Sequence, residues 1–86
     1  DEKRTFLDVG GNIGLSSIGF RELGFKKNII HLFEPDKDLI KLYLNKIKEG
    51  DKNLIIHPFW LSNKKNTQKL YKAYSKNIFF HFYKIH

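Results

Sequence analysis

The stretch FLDVGGNIG, residues 6–14, places closely spaced glycines beside an acid. Gly10 and Gly11 are adjacent, and Gly14 follows three residues later. A glycine costs about 0.5–1 kcal/mol relative to alanine in regular structure, so this loop must need bare backbone. Between a strand and a helix, bare backbone lets a ligand approach the unpaired N–H groups of the helix N-terminus. We therefore predict that the loop, together with Asp8 just before it, binds a ligand.

The residue types of the loop narrow the class of ligand. The dinucleotide fingerprint G-x-G-x-x-G fails in every frame, because Asn12 and Leu15 occupy positions that need glycine. A phosphate-binding P-loop is excluded as well, since no Gly-Lys-Ser/Thr follows. The Asp8 carboxylate would repel a phosphate and favours a ligand that carries an ammonium group.

A second acid, Glu34, ends a later apolar run in HLFEPD, 26 residues after Asp8. An acid at the end of the second strand of a parallel sheet can accept hydrogen bonds from a ribose diol. Hydrogen bonds to a charged group contribute about 1.5–3 kcal/mol each, enough to select between ligands. A ligand with a ribose, an ammonium group and no phosphate is S-adenosylmethionine, which we predict as the cofactor.

Three apolar runs, 5–9, 28–33 and 53–57, position these residues. Each lacks clean alternation of apolar and polar residues, which is typical of strands buried on both faces of a parallel sheet. Segments of helical length separate the runs. The order strand, helix, strand, helix, strand predicts an α/β fold in which helices pack on a parallel sheet.

The ends of both helices carry sequence signals. The first helix is predicted to begin near Asn12 or Ile13 and to end at Gly24. The second is predicted to begin at the N-cap Asp36 and to end at Gly50. Its apolar face is expected to comprise Leu39, Ile40, Tyr43, Leu44 and Ile47.

The sequence pattern does not decide the conformation of the last third of the chain. Residues 68–74 could form a strand, and the segment NIFFHFYKI, residues 77–85, suits either a strand or a helical stripe. Trp60 is expected in the core rather than on a base-stacking surface. The chain contains no methionine, and we expect residues 1–86 to be a single partial domain of a longer protein.

The segments FLDVGGNIGLSSI, HLFEPD and PFWLSN, in this order and spacing, resemble the first three strand-end motifs of FkbM-type S-adenosylmethionine-dependent methyltransferases. The resemblance covers roughly residues 5–63 and leaves 64–86 outside it. It implies a Rossmann-like fold and an enzyme that methylates a hydroxyl oxygen of a sugar or another small molecule.

The resemblance also implies a role for each matching residue. The methionine portion of the cofactor would be surrounded by loop residues and the acid before them, namely Asp8, Gly10, Gly11, Asn12 and Gly14. Glu34 would hold the ribose, while Leu61 and Ser62 would lie near the adenine. The family's Lys-x-Asp-x-Glu-Gly motif near the substrate does not occur here. We therefore expect the cofactor-binding half of the enzyme, with its catalytic residue unassigned.

Composition supplies the alternatives. The net charge of +7 and the aromatic content of 15% could indicate a nucleic-acid-binding module on an α/β scaffold. Only 2 of the 16 basic residues are arginine, which weakens that reading, and no specific nucleic acid is expected. The second alternative is a fragment of an NAD-dependent oxidoreductase, which would share the acid after the second strand.

Other classes of site receive little support from the sequence. The chain has no cysteine, and its four histidines are too scattered to indicate a metal site. His31 and His57 are expected to face a helix or another strand. No apolar run approaches the roughly 18 residues of a membrane span, so no span is predicted and a cytoplasmic setting is expected.

Overall fold

The computed structural model describes residues 4–61, 69, 72 and 78–82. Within these residues the strands are Thr5–Val9 (β1), Ile30–Phe33 (β2), Leu54–His57 (β3) and Ile78–Phe82 (β4). The α-helices are Leu15–Glu22 (α1), Lys37–Leu39 (α2) and Asn45–Glu49 (α3). A π-helical turn at Ile40–Leu44 joins α2 to α3 in one continuous helical segment.

The strands form one sheet in the order β3-β2-β1-β4, and every pair is parallel. Val9 pairs with Phe33 and with Phe82, and Phe33 pairs with His57. The carboxyl ends of the strands therefore meet at one edge, which we call the carboxyl edge. The chain runs outwards from β1 to β3 and then returns to the other side of β1. This reversal of strand order marks the place where open parallel sheets bind ligands.

The predicted α/β class is confirmed, with a parallel sheet, flanking helices and a partial Rossmann-like βαβαβ order. Of the two conformations kept open for 77–85, the structure shows a strand at 78–82. In the segment 68–74, Lys69 and Lys72 are helical rather than extended, and the other residues lie outside the described ones.

Alternate residues of the strands supply two apolar clusters. The first joins the sheet to the helices and contains Phe6, Phe20, Ile30, Leu32, Leu44 and Leu54. Within it the ring of Phe20 stacks on Phe6, with centroids 4.3 Å apart, and on Phe25 at 4.5 Å. The second cluster contains Leu7, Val9, Phe33 and Leu61. Strands β1 and β2 are thus buried on both faces, as their continuous apolar runs indicate. The expectation is wrong for β3, where only Leu54 is fully buried and Ile55 is 39% exposed, because β3 lies at an edge of the sheet.

Helix α1 begins at Leu15, later than the predicted start at Asn12 or Ile13. The delay has a backbone cause, because Asn12 has φ 53° and Gly14 has φ 89°, both in the left-handed region outside the α-helix. The predicted C-terminal glycine is confirmed: Gly24 has φ 108° and follows the C-cap Leu23.

The capping predictions for the second helical segment are confirmed. Asp36 is the N-cap, and its Oδ1 accepts the backbone N–H groups of Asp38 at 2.9 Å and Leu39 at 3.3 Å. Gly50 is the C-cap. A capping aspartate of this kind stabilises a helix by about 1 kcal/mol relative to alanine.

Two aromatic residues expected in the core lie at the surface instead. Tyr43 is 47% exposed, because the π-helical turn bonds the N–H of Asn45 to the carbonyl of Ile40 and turns Leu44 towards the sheet. Trp60 is 38% exposed, since it follows β3 in the connecting segment, beyond the face of the sheet.

Candidate functional site

The glycine-rich loop 10–14 follows β1 at the carboxyl edge, and its backbone donors point into the protein. The N–H groups of Gly10 and Gly11 both donate to the carbonyl of Phe33, over 2.8 Å and 3.1 Å. The N–H of Gly14 donates to the carbonyl of Gly11 over 2.8 Å. The amide groups of Gly10 and Gly11 therefore hold the loop against the end of β2, while that of Gly14 closes a turn within the loop.

Two of the glycines lie where a larger residue is disfavoured, Gly11 by close packing and Gly14 mainly by its left-handed backbone. A Cβ atom on Gly11 would lie 2.4 Å from side-chain carbons of Leu32. A Cβ atom on Gly14 would lie 2.5 Å from the Cδ1 atom of Ile47, and its φ of 89° is itself unfavourable for other residues. The bare backbone thus lets the loop rest directly on β2 and α3, a reason that the sequence analysis did not give.

Glu34 joins the loop to the start of α2. Its Oε1 accepts the backbone N–H of Asn12 at 2.9 Å, and its Oε2 accepts the N–H of Asp36, also at 2.9 Å. Glu34 is 6% exposed. Asn12 has φ 53°, a left-handed conformation that asparagine adopts more readily than most residues. The structure therefore brings together the acid and the loop that the sequence singled out separately.

Asp8 lies in β1 with no solvent exposure, on the side of the sheet covered by α1. The hydroxyl of Ser17 donates to its Oδ2 atom over 2.8 Å, and Ser17 is itself 2% exposed. Ser17 is not among the residues that the sequence motifs single out. Its position in the sequence could have indicated this role. Ser17 lies in the first turn of the helix that follows the loop, where a side chain can face back towards the strand.

Of the residues expected near an adenine, only one can be placed. Leu61 is buried and packs with Leu7, Val9 and Phe33 in the second apolar cluster. Ser62 lies outside the described residues. Leu61 is therefore part of the apolar core beneath the carboxyl edge, and it takes no part in the hydrogen bond between the loop and Glu34.

The two edges of the sheet differ in charge. Asp8 and Glu34 lie at the ends of β1 and β2, and Asp36 and Asp38 follow at the start of α2 with Lys37 between them, so acids outnumber bases there. The positively charged residues that precede the strands are Arg4, Lys26, Lys27 and Lys52. At that opposite edge Arg21 pairs with Asp51, with Nε and Oδ2 2.7 Å apart. The candidate site is thus an acidic region of a basic chain.

His31 and His57 face each other across β2 and β3. Nδ1 of His31 lies 2.9 Å from Nε2 of His57, so one imidazole donates a hydrogen bond to the other. Phe33 stacks on the ring of His57 with centroids 4.5 Å apart. Burial lowers the pKa of His31, which the neighbouring His57 lowers further, and burial also lowers the pKa of His57. Both rings are therefore neutral near pH 7, and one ring nitrogen donates its N–H to the unprotonated nitrogen of the other ring.

The described residues also limit the class of site. No group of three or more His, Cys, Asp or Glu side chains is placed there to hold a metal ion. None of the helices in this part of the chain has the length and apolar character needed to cross a bilayer.

Comparisons with protein-family models, with curated proteins and with solved structures found no match. The function must therefore be inferred from the geometry of the carboxyl edge. Two acids lie there beside a glycine-rich loop, and the amide groups of that loop donate within the chain.

Proposed function

We propose that this chain is the cofactor-binding part of an S-adenosylmethionine-dependent methyltransferase. The observation that carries the proposal is the arrangement of Asp8 and Glu34 around the loop 10–14 at the carboxyl edge. The edge lies beside the reversal of strand order between β1 and β4, where ligands bind in sheets of this kind.

The backbone of the loop argues against a phosphate-bearing ligand. A phosphate at a helix N-terminus is held by outward-pointing N–H groups. Here the N–H groups of Gly10, Gly11, Asn12 and Gly14 all donate within the chain, so these four loop residues contribute no outward donor and leave that role to the first turn of α1 alone. With two carboxylates close by, the loop favours a cation over an anion, which fits S-adenosylmethionine better than NAD.

Glu34 retains the capacity to bind a ribose diol. An ionised carboxylate offers about four acceptor positions on its two oxygens. Backbone N–H groups of Asn12 and Asp36 take one position on each oxygen, so one remains on each for a hydroxyl group. The same acid can therefore fix the loop and accept the two hydroxyls of a ribose.

The proposed methyl acceptor rests only on the resemblance of the strand-end motifs to FkbM-type methyltransferases. We propose a small molecule with a reactive hydroxyl group, such as a sugar, and a cytoplasmic setting. No residue is assigned as the catalytic base.

Isothermal titration calorimetry with S-adenosylhomocysteine and NAD tests the cofactor assignment. The demethylated product is the better probe because it is stable and keeps the ribose and the ammonium group. We expect binding of S-adenosylhomocysteine and much weaker binding of NAD. Tighter binding of NAD would reject the methyltransferase and favour the oxidoreductase.

A further inference from the structure

The starting observation is a carboxylate without access to water. Asp8 is fully buried beneath the loop, and the hydroxyl of Ser17 donates to its Oδ2 atom over 2.8 Å. A buried charge is stable only where hydrogen bonds and local positive charge replace its lost hydration. Because Ser17 is only 2% exposed, water can scarcely take the place of its hydroxyl.

The start of α1 gives Asp8 a second source of stabilisation. The N-terminus of a helix carries about half a positive charge. The N-cap of α1 is Gly14, which has no side chain to cap the helix, and the first turn contains no acidic residue. Asp8 supplies negative charge from the strand below, and Ser17, the third residue of α1, holds it there.

The direction of the loop amides determines how strongly the negative charge of Asp8 acts on a ligand bound above the loop. The N–H groups of Gly10, Gly11 and Gly14 are directed to carbonyls of the chain, so they present little positive charge to a ligand above the loop. The full negative charge of Asp8 exceeds the roughly half positive charge of the helix N-terminus, so a net negative field reaches the carboxyl edge and favours a cationic group there.

We propose that Ser17 is a positioning residue: it orients the Asp8 carboxylate beneath the loop so that its charge selects the ammonium group of the cofactor. The proposal rests on the proposed function. It assigns Ser17 no contact with the ligand. Its distinguishing consequence is selectivity, since loss of the Ser17 hydroxyl should weaken ligands with an ammonium group more than ligands without one.

Two ligands measure this selectivity in the 86-residue chain. S-adenosylhomocysteine carries the ammonium group, whereas its deaminated analogue, 5′-deoxy-5′-(3-carboxypropylthio)adenosine, keeps the nucleoside, the sulfur and the carboxylate and lacks only the ammonium group. We expect Ser17→Ala to lower the affinity for the first by about tenfold and to leave the second within about twofold. Ser17→Cys keeps the size of the side chain with only a weak S–H donor, and it should behave like Ser17→Ala.

Ser16→Ala is the matched control, because Ser16 is adjacent and half-buried but lines a surface groove beside Gly19 and Leu23. It should bind both ligands like the wild type. Equal losses for both ligands in the Ser17 variants, with Ser17→Cys folded, would show a merely structural role and overturn the positioning proposal. A wild-type chain that binds neither ligand would overturn the proposed function itself.

Discussion

The backbone N–H of Asn12 donates to Oε1 of Glu34 over 2.9 Å and so fixes the glycine-rich loop to the end of β2. The two residues are 22 positions apart in sequence. The other oxygen of Glu34 holds the N–H of Asp36 at the start of α2. One carboxylate therefore sets the relative position of the loop, the second strand and the second helical segment.

Replacement of Glu34 by alanine should weaken the binding of S-adenosylhomocysteine by about tenfold or more, because the ribose acceptor is lost. The variant should also lose about 1–3 kcal/mol of stability, since a partly buried N–H of Asn12 is left without its acceptor. Calorimetry and chemical denaturation measure the two effects separately.

Asp36→Ala is the control for that experiment. It removes the N-cap and should cost about 1 kcal/mol of stability, yet it should leave binding unchanged. Wild-type affinity in Glu34→Ala would remove the ribose assignment, and a loss of affinity in Asp36→Ala would show that binding merely follows stability.

Two glycine substitutions should change stability in opposite directions. Gly14→Ala should destabilise the chain by about 1–3 kcal/mol, because alanine is strained in a left-handed backbone and its Cβ atom would also displace the Cδ1 end of Ile47, 2.5 Å away. Gly19→Ala should stabilise it by about 0.5–1 kcal/mol, since Gly19 lies within α1 with nothing within 4 Å of an added Cβ atom. Thermal unfolding followed by circular dichroism checks both, and a stable Gly14→Ala variant would contradict the packing of the loop on α3.

The histidine pair predicts how stability depends on pH. Because burial lowers the pKa of His31 and His57 in the folded chain, the unfolded chain binds more protons as the pH falls below about 6.5. The contribution of the pair is therefore fully present above that pH and is lost as the pH falls through the lower folded values.

The variant His57→Phe isolates this effect. It keeps a ring that can stack on Phe33 and removes one titrating group of the pair. Urea denaturation at about pH 7.5 and at about pH 5.5 should show a smaller loss of stability in the variant than in the wild type. An equal loss in both chains would mean that the histidine pair does not govern this pH range.

The sequence predicts those features that depend on local pattern. Continuous apolar runs identify β1, β2 and β3, and the capping roles of Asp36 and Gly24 follow from residue type and position. The carboxyl-edge position of Asp8 and Glu34 follows as well, because parallel strands end at the same edge.

Contacts between distant segments could not be predicted in the same way. The hydrogen bond from Ser17 to Asp8 and the contact between His31 and His57 depend on how helices and strands pack. The direction of the loop amides depends on left-handed backbone at Asn12 and Gly14. The exposure of Tyr43 follows from a π-helical turn, which an ideal 3.6-residue repeat does not contain.

The methyltransferase and the alternative nucleic-acid-binding module predict different affinities for nucleic acid. A nucleic-acid surface needs positive charge gathered along the path of the phosphates. Here acids flank the lysines of the second helical segment, with Asp36 and Asp38 at its start and Glu49 at its end, and Arg21 is engaged by Asp51. We therefore expect only weak, non-specific association, with a Kd of about 10⁻⁴–10⁻⁶ M at physiological salt.

Titration of a fluorescently labelled single-stranded oligonucleotide measures this affinity. Trp60 and Phe59 are the aromatic residues to test, because 38% and 45% of their surfaces are exposed and a base could stack on them. Stacking contributes about 1–3 kcal/mol per base, so Trp60→Ala would weaken a specific complex by about tenfold or more and would leave non-specific association unchanged. If the chain binds the oligonucleotide tightly at physiological salt and Trp60→Ala abolishes that binding, the result would favour the nucleic-acid-binding module over the enzyme. Neither the acidic carboxyl edge nor the glycine-rich loop would explain such binding.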